Sequence, residues 1–289
     1  MLEWNSTKKV LELNNCLQRN VVIVMMTLRV LNMLLVLIHG SWTISLQRKE
    51  CQGTAFDYEG ATLSSEDLAL EWLESKSDCD VELDQILLTA VWQGYTRVVG
   101  LLLDKGAHIN AQDKHSGQAA LGVAAEIGNL EVATLLIENG ADINAKDGTD
   151  EPTALMYAAQ SWYSTLEVVA LLIENGADIN AKDTNGRTAL MYAANNGHLK
   201  VATFLIKNGA DINAKNTDEW TALMYTTSNG NLKVATLLIE NGADIGAKNK
   251  EGETALMAAA SNGYLEVATL LIENGADINA KDTDGRTAL

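Results

Sequence analysis

The chain has 289 residues, of which 47% are hydrophobic and 20% charged, and its net charge is −17 at pH 7. This apolar content excludes a wholly disordered chain, and the single proline and two phenylalanines fit a helical core of small aliphatic residues better than a β-sandwich. The acidic charge repels phosphate backbones, so we expect no nucleic-acid partner. The three cysteines have no CxxC spacing, which excludes a zinc ribbon and argues against a disulfide scaffold.

Residues 1–50 form an N-terminal hydrophobic region with six basic and three acidic residues. Fifteen of the eighteen residues from Val21 to Ile38 are apolar, which is just enough for a membrane span, although Arg29 would lie near mid-bilayer. With a start at Met25 or Met26, the region instead has the anatomy of a secretory signal peptide. A buried or amphipathic helix is the third interpretation. We favour a signal peptide or signal anchor, and hence export or membrane attachment over a cytoplasmic location.

Residues 51–83 form an acidic linker that contains one predicted helix. The segment SSEDLALEWLES has Ser64 or Ser65 as N-cap and acidic residues in its first turn. Its apolar face consists of Leu68, Trp72 and Leu73. We interpret this helix as a cap for the apolar end of the following array, in preference to an independent binding helix.

The heptapeptide GADINAK recurs through the rest of the chain. It is intact from Gly140, Gly176, Gly209 and Gly275, reads GADIGAK from Gly242, and is degraded to GAHINAQ at Gly106. The last four copies, from Gly176 to Gly275, follow each other at intervals of 33 residues. Self-similarity at this period is typical of a solenoid, in which each unit buries its apolar face against its neighbours.

The unit at 183–215 shows the local structure that each repeat encodes. A DTNG turn precedes Thr188, which is the predicted N-cap of a short helix ending at about Asn195. A second helix is predicted from Leu199 to about Asn208, with Gly209 in the left-handed position that ends it. In the extended segment that follows, the polar side chains are expected to bond to local backbone; these are Asp211 and Asn213.

The pattern T-A-L-x-x-A-A…G-x-L-x-V-A-x-L-L-I-x-N-G-A-D-I-N-A resembles that of ankyrin repeats over about residues 84–289. The resemblance implies an all-α repeat fold, an ankyrin solenoid of helix-turn-helix units joined by β-hairpin-like loops, with the first helices lining a concave face. The family's common T-P-L-H appears here as TALM, beginning at Thr153, Thr188, Thr221 and Thr254. The methionines of these four segments are predicted to be core residues; they are Met156, Met191, Met224 and Met257.

The repeats are placed by their landmarks in an ankyrin-repeat domain at 84–289. The predicted bounds are 84–112, 113–146, 147–182, 183–215, 216–248, 249–281 and a partial 282–289. The third is three residues longer than standard, with one extra residue in DGTDEPT and two in AAQSWYSTLE. Because the last segment stops within a predicted first helix, we expect that the gene continues or that the sixth unit frays.

No HExxH, Gly-rich phosphate loop or GxSxG occurs, so we expect no enzyme, catalytic residue or cofactor. His108 and His115 flank one predicted hairpin, but two exposed loop histidines are more often solvated than metal-bound, and we expect no metal. The resemblance implies a protein-binding scaffold and a monomeric solenoid. The alternatives are a regulatory ankyrin region of a larger enzyme or channel, truncated in this sequence, and a purely structural array.

Binding specificity in this family lies at hairpin tips and on exposed positions of first helices, where repeats differ. Trp220 replaces a charged residue of other units, and Trp162 and Tyr163 lie in the insertion of the third. These aromatic residues are either interface anchors or packed on a neighbouring element. The candidate partner-binding residues are Trp162, Tyr163, Arg187, Asn195, Asn196, Asp218, Trp220, Asn229, Lys250, Glu253 and Tyr264.

Overall fold

A computed structural model describes residues 65–74, 83–114, 116–148, 150–162 and 166–288. The described residues belong to one compact unit, Thr62–Leu289. They form thirteen α-helices and two isolated β-bridges, with no strand among them. None of these described helices is both long and apolar enough to cross a membrane. The hydrophobic segment Val21–Ile38 lies outside the described residues, as do His115 and Tyr163.

A single helix, α1 (Ser65–Glu74), precedes six helix pairs. The pairs are α2 (Leu83–Gln93) with α3 (Thr96–Asp104), α4 (Ala120–Ile127) with α5 (Leu130–Glu138), α6 (Ala154–Gln160) with α7 (Leu166–Glu174), α8 (Ala189–Asn196) with α9 (Leu199–Lys207), α10 (Ala222–Ser228) with α11 (Leu232–Glu240), and α12 (Ala255–Ser261) with α13 (Leu265–Glu273).

The helices stack in two rows. Each first helix packs against the first helix of the next pair, and each second helix does the same in the other row. One leucine at the same position of every second helix is fully buried: Leu102, Leu136, Leu172, Leu205, Leu238 and Leu271. Each such leucine contributes about 2 kcal/mol by burial of its apolar surface. The predicted all-α repeat solenoid is therefore confirmed.

The first helices contribute the other half of the core. The predicted methionine column is confirmed, because Met156, Met191, Met224 and Met257 are all buried. The predicted N-cap is confirmed as well, since the Thr188 hydroxyl accepts a hydrogen bond from the Met191 N–H at 3.4 Å. Thr221 and Thr254 cap their helices in the same way. Each cap stabilises its helix by about 1 kcal/mol.

Helix α1 packs against α3, at the N-terminal end of the described array. Leu73 is buried in the core, and Arg97 at the start of α3 fixes the first turn of α1. The Arg97 N–H donates to Glu66 Oε1 at 2.8 Å, and its Nη1 lies 2.6 Å from Asp67 Oδ1. The interpretation of α1 as a cap of the array stays a prediction.

The GADINAK segments join successive units through their asparagines. Asp211 Oδ1 accepts from the Asn213 N–H at 3.0 Å, as predicted for a local turn. Asn213 itself reaches the next unit, where its Oδ1 accepts from the Asp244 N–H at 2.8 Å and its Nδ2 donates to the Gly242 carbonyl at 3.2 Å. The prediction that the Asn213 side chain bonds locally is therefore wrong, because a neighbouring backbone lies within its reach.

The same bridge recurs along the array. Asn144 and Asn180 each accept from one N–H and donate to one carbonyl of the following unit. Asn110 of the first unit accepts from the Asp142 N–H at 2.9 Å, and the corresponding His108 N–H of the first unit itself donates to Asp84 Oδ1 at 2.8 Å. The series stops at Gly246, which replaces asparagine, and no other side chain of the described residues accepts from the corresponding Asp277 N–H. The junction between the last two helix pairs therefore lacks this bridge.

We predict that Gly246→Asn stabilises the protein, because asparagine at this position restores two hydrogen bonds between units. Gly246 has no positive φ, and an added Cβ makes only an ordinary contact at 3.5 Å with Asp244 Oδ1. The matched control is Gly246→Ala, which removes the flexible glycine without adding the bridge and should contribute about 0.4–1 kcal/mol. The asparagine variant should exceed the alanine variant by about 1 kcal/mol in urea unfolding followed by circular dichroism. Equal stability of the two variants would show that the bridge contributes nothing.

Candidate functional site

The predicted binding residues fall on two kinds of loop. Those in the hairpin-like loops between units are Arg187, Asp218, Trp220, Lys250 and Glu253. Those at the turns between the two helices of a pair are Trp162, Asn195, Asn196, Asn229 and Tyr264. Tyr163 lies outside the described residues. The structure thus does not bring all candidates together, and the two groups have different local chemistry.

The Arg187 side chain belongs to a clamp inside its own hairpin. The Arg187 backbone N–H donates to Asp183 Oδ1 at 2.8 Å, and its side-chain Nε donates to Asp183 Oδ2 at 2.9 Å. The guanidinium lies 4.8 Å from the centroid of the Tyr192 ring, and the Tyr192 hydroxyl donates to Asp183 Oδ2 at 2.7 Å. Burial and the bond to Asp183 raise the pKa of Tyr192. The Arg187 charge is therefore paired and its side chain half-buried, and its role in partner binding stays a prediction.

Trp220 occupies the equivalent position in the next unit and packs in a similar way. In this unit Asn216 replaces the aspartate. Its Oδ1 accepts from the backbone N–H of Trp220 at 2.7 Å, and its Nδ2 donates to the Tyr225 hydroxyl at 3.0 Å. The indole ring lies 5.4 Å from the Tyr225 ring, tilted by 47°. Of the two alternatives stated for Trp220, the structure shows packing, with the side chain half-buried.

The same position in the following unit is Glu253, which is also engaged within its hairpin. Its Oε2 accepts from Asn249 Nδ2 at 2.9 Å, and its own N–H donates to Asn249 Oδ1. Asp218 and Lys250, in contrast, are exposed at adjacent hairpin tips. Their charged atoms are 3.9 Å apart, and the Lys250 N–H donates to the Asp218 carbonyl. An exposed pair of this kind contributes little stability, so these two side chains are available to a partner.

Two hairpin tips have an unusual backbone conformation, with positive φ at the non-glycine residues Glu151 (φ +52°) and Glu219. Glu219 has φ +63°, whereas the equivalent residue of neighbouring units is a glycine, such as Gly186 with φ +73°. The Lys215 ammonium lies 3.1 Å from Glu219 Oε2 and holds the side chain in place. A non-glycine residue in this region costs about 1 kcal/mol or more. The fifth unit is therefore strained next to Trp220.

Asp147 is the carboxylate of the third unit that corresponds to Asp183, but it has no arginine partner. The residue is 2% exposed, and its Oδ2 accepts from the Ala119 N–H at 3.0 Å. Oδ1 has no hydrogen-bond partner among the described residues. Burial raises the pKa of Asp147 to about 6, while the bonds from Ala119 and Gln112 act in the opposite direction. This carboxylate is a cost to stability when it is ionised.

The turns between paired helices form an exposed row of aromatic and amide side chains. Trp162 is 71% exposed and meets His198 edge-on, with ring centroids 5.4 Å apart. Asn196 Nδ2 donates to the Gln160 carbonyl at 2.8 Å, which connects the third unit to the fourth. Asn229 Nδ2 donates to Asn195 Oδ1 at 2.9 Å and connects the fourth unit to the fifth. We call the row Trp162, Asn195, Asn196, His198 and Asn229 the amide row.

Tyr264 continues this side of the array in the sixth unit, but its ring packs against Gly230. A Cβ at Gly230 would lie 2.6 Å from the ring, so only glycine allows this contact. Tyr264 is accordingly half-buried.

Sequence reasoning missed a groove at the N-terminal end of the same side. This groove of about 530 Å³ includes Trp92 and Leu130, which are 51% and 40% exposed. No pattern in the sequence distinguishes these residues from core positions. Their exposure follows from the turns on which they lie.

The described residues contain no group of three or more His, Cys, Asp or Glu side chains that could hold a metal ion. His108 lies 3.0 Å from Asp84 Oδ2 through Nδ1, and its predicted neighbour His115 is outside the described residues.

Comparison with known protein families gives one result. The family described as "Ankyrin repeats (3 copies)" matches residues 61–147, 121–216 and 213–282. A search of curated proteins found no significant match.

We predict that Asp147→Asn raises stability at pH 7. The folded-state pKa of about 6 lies above the ordinary value of 3.8, so the folded wild type binds its proton more tightly than the unfolded chain. The contribution of Asp147 to wild-type stability should therefore fall as the pH rises from about 4 to about 6 and change little above. The variant should lack this fall, so its advantage disappears near pH 4. Urea unfolding at several pH values measures the difference.

The control for this prediction is Asp183→Asn, which removes a carboxylate that pairs with Arg187 and Tyr192. We expect that variant to be less stable than wild type by about 1–3 kcal/mol at pH 7. If Asp147→Asn is destabilising to the same extent, the buried carboxylate of Asp147 does not lower stability.

Proposed function

The chain belongs to the ankyrin-repeat family, and we propose from this membership that it is a non-enzymatic scaffold that binds a partner protein. Ankyrin repeats are in general protein–protein interaction modules. In our proposal the partner contacts the exposed ends of the first helices, on the concave face, and the hairpin tips at Asp218 and Lys250. The repeated core supplies a rigid support for side chains that differ between units.

The amide row is the observation that carries this proposal. Trp162 offers a large exposed aromatic surface, and Asn195 and Asn229 offer amide groups within the same row. Tryptophan and asparagine are typical of protein-binding surfaces, where a rigid aromatic ring supplies contact area and amides supply adaptable hydrogen bonds. The row contains no Asp, Glu, Lys or Arg side chain, although the protein as a whole is strongly acidic.

The strained tip of the fifth unit gives independent support. Strained backbone is retained where the surrounding structure or a function requires it. Glu219 and Trp220 depart from the repeat at adjacent positions, and the exposed Asp218 precedes them. We therefore include this tip in the proposed binding surface, with Trp220 as the support of the tip rather than as an anchor.

The experiment is affinity capture with the full chain, comparing wild type with the double variant Trp162→Ala/Asn195→Ala. Loss of a central aromatic contact costs about 2 kcal/mol, so we expect capture of the partner to fall at least about tenfold. The matched control is Lys200→Ala/Lys233→Ala, two exposed positions on the second helices. Equal capture of every partner by the two double variants would refute the proposed surface.

We also propose that residues 21–45 direct export or attach the protein to a membrane. The proposal is supported by the apolar run from Val21 to Ile38 and the polar segment with small residues that follows it. N-terminal sequencing of the mature protein distinguishes the alternatives. Cleavage after the apolar run indicates a signal peptide, and an intact chain in the membrane fraction indicates an anchor. An intact Met1 in a soluble fraction would contradict both.

A further inference from the structure

The asparagine series is interrupted at Gly246. As a result, one backbone donor and one backbone acceptor of the next unit have no side-chain hydrogen-bond partner. In the preceding junction, Asn213 accepts from the Asp244 N–H and donates to the Gly242 carbonyl. One repeat later the corresponding groups are the Asp277 N–H and the Gly275 carbonyl. Neither has a side-chain partner among the described residues.

A cavity of about 140 Å³ lies at this position. Its lining residues are Ile245, Gly246, Lys248, Thr254, Ala276, Asp277 and Ala280. Both Gly246 and Asp277 are exposed, so the cavity is accessible from solvent. It therefore lies between Gly246 and Asp277, which correspond to Asn213 and Asp244 of the preceding junction.

The chemistry of the pair requires a group that both accepts and donates a hydrogen bond. A ligand must accept from the Asp277 N–H and donate to the Gly275 carbonyl, as the carboxamides of Asn144, Asn180 and Asn213 do at the equivalent positions. A carboxylate has no donor, and an ammonium has no acceptor.

The charges around the cavity support the same choice. Asp244 and Asp277 carry negative charge, which disfavours a carboxylate; their Oδ1 atoms accept from Gly246 and Asn279 N–H groups. The Lys248 ammonium is directed elsewhere, since it donates to the Lys281 carbonyl at 2.8 Å. A neutral carboxamide satisfies the polar groups without a charge penalty.

We propose that the cavity at Gly246 is a binding site for a primary carboxamide, supplied by an asparagine or glutamine side chain of the partner protein. At this carboxamide site the partner would supply the bridging group that asparagines of the chain itself supply at the other junctions. The identity of the ligand as a protein side chain rests on the proposed function, whereas recognition of a carboxamide does not.

The first experiment uses small probes and needs no partner. The ¹⁵N-labelled full chain is titrated with propionamide, and with 2-butanone as a neutral probe of similar shape that accepts but cannot donate. We expect a saturable shift of the Asp277 N–H resonance with propionamide, with a dissociation constant of about millimolar or weaker for so small a ligand, and a much smaller shift with 2-butanone. The Asp244 N–H, which is already bonded to Asn213, is the internal control and should not respond.

Two variants test the position of the site. Gly246→Asn fills the cavity with its own carboxamide and should abolish the response of Asp277. Gly246→Ala keeps the donor and the acceptor and should retain it. Equal responses to the two probes, or an undiminished response in Gly246→Asn, would overturn the carboxamide site.

The second experiment tests whether the natural ligand is the partner protein. Capture of the partner should fall several-fold in Gly246→Asn and stay near wild type in Gly246→Ala. Equal capture by both variants, with the propionamide response intact, would overturn the assignment to a partner side chain. Because the titration needs no partner, its result is independent of the Trp162 and Asn195 variants that test the proposed function.

Discussion

The constraint on which the structure depends is that no helix pair can bury its apolar surface alone. In α13, which has a described pair on one side, Leu265 is 77% and Ile272 48% exposed, while the equivalent Leu232 and Ile239 of α11 are only partly exposed. The free energy of folding is therefore distributed over the junctions, and each additional unit stabilises the previous one.

Burial brings the units together, but hydrogen bonds fix how they align. A flat apolar face alone allows sliding, whereas the two bonds of Asn213 to Asp244 and Gly242 are satisfied in one alignment. A backbone bond between hairpins, such as Thr217 N–H to the Asn185 carbonyl, adds a second fixed point at each tip. The recurrence of GADINAK thus reflects a structural need. Gly246 is an exception, since the fold is kept at this junction without the asparagine bridge.

The positions that vary between units divide by burial into two groups. In the hairpins, Arg187 and Glu253 differ in charge, but both bond to the aspartate or asparagine that begins their turn. The difference in charge at this position is therefore balanced by bonds within each hairpin. At the turns between paired helices, Trp162 has little to pack against except the edge of His198. Only side chains that vary between units and remain exposed can distinguish one partner from another. The amide row contains such side chains.

The sequence by itself determined the period, the helix bounds to within one or two residues, the threonine caps and the methionine core, since these depend on local periodicity and capping chemistry. It did not determine the roles of Arg187, Trp220 and Asn213, because their partners are chosen by hairpin and inter-unit geometry. Neither could it identify Asp147 as a buried carboxylate with one unbonded oxygen, or Gly246 as the edge of a cavity. Each feature is a missing hydrogen-bond partner at a junction between units, and only the tertiary structure decides which groups face each other there.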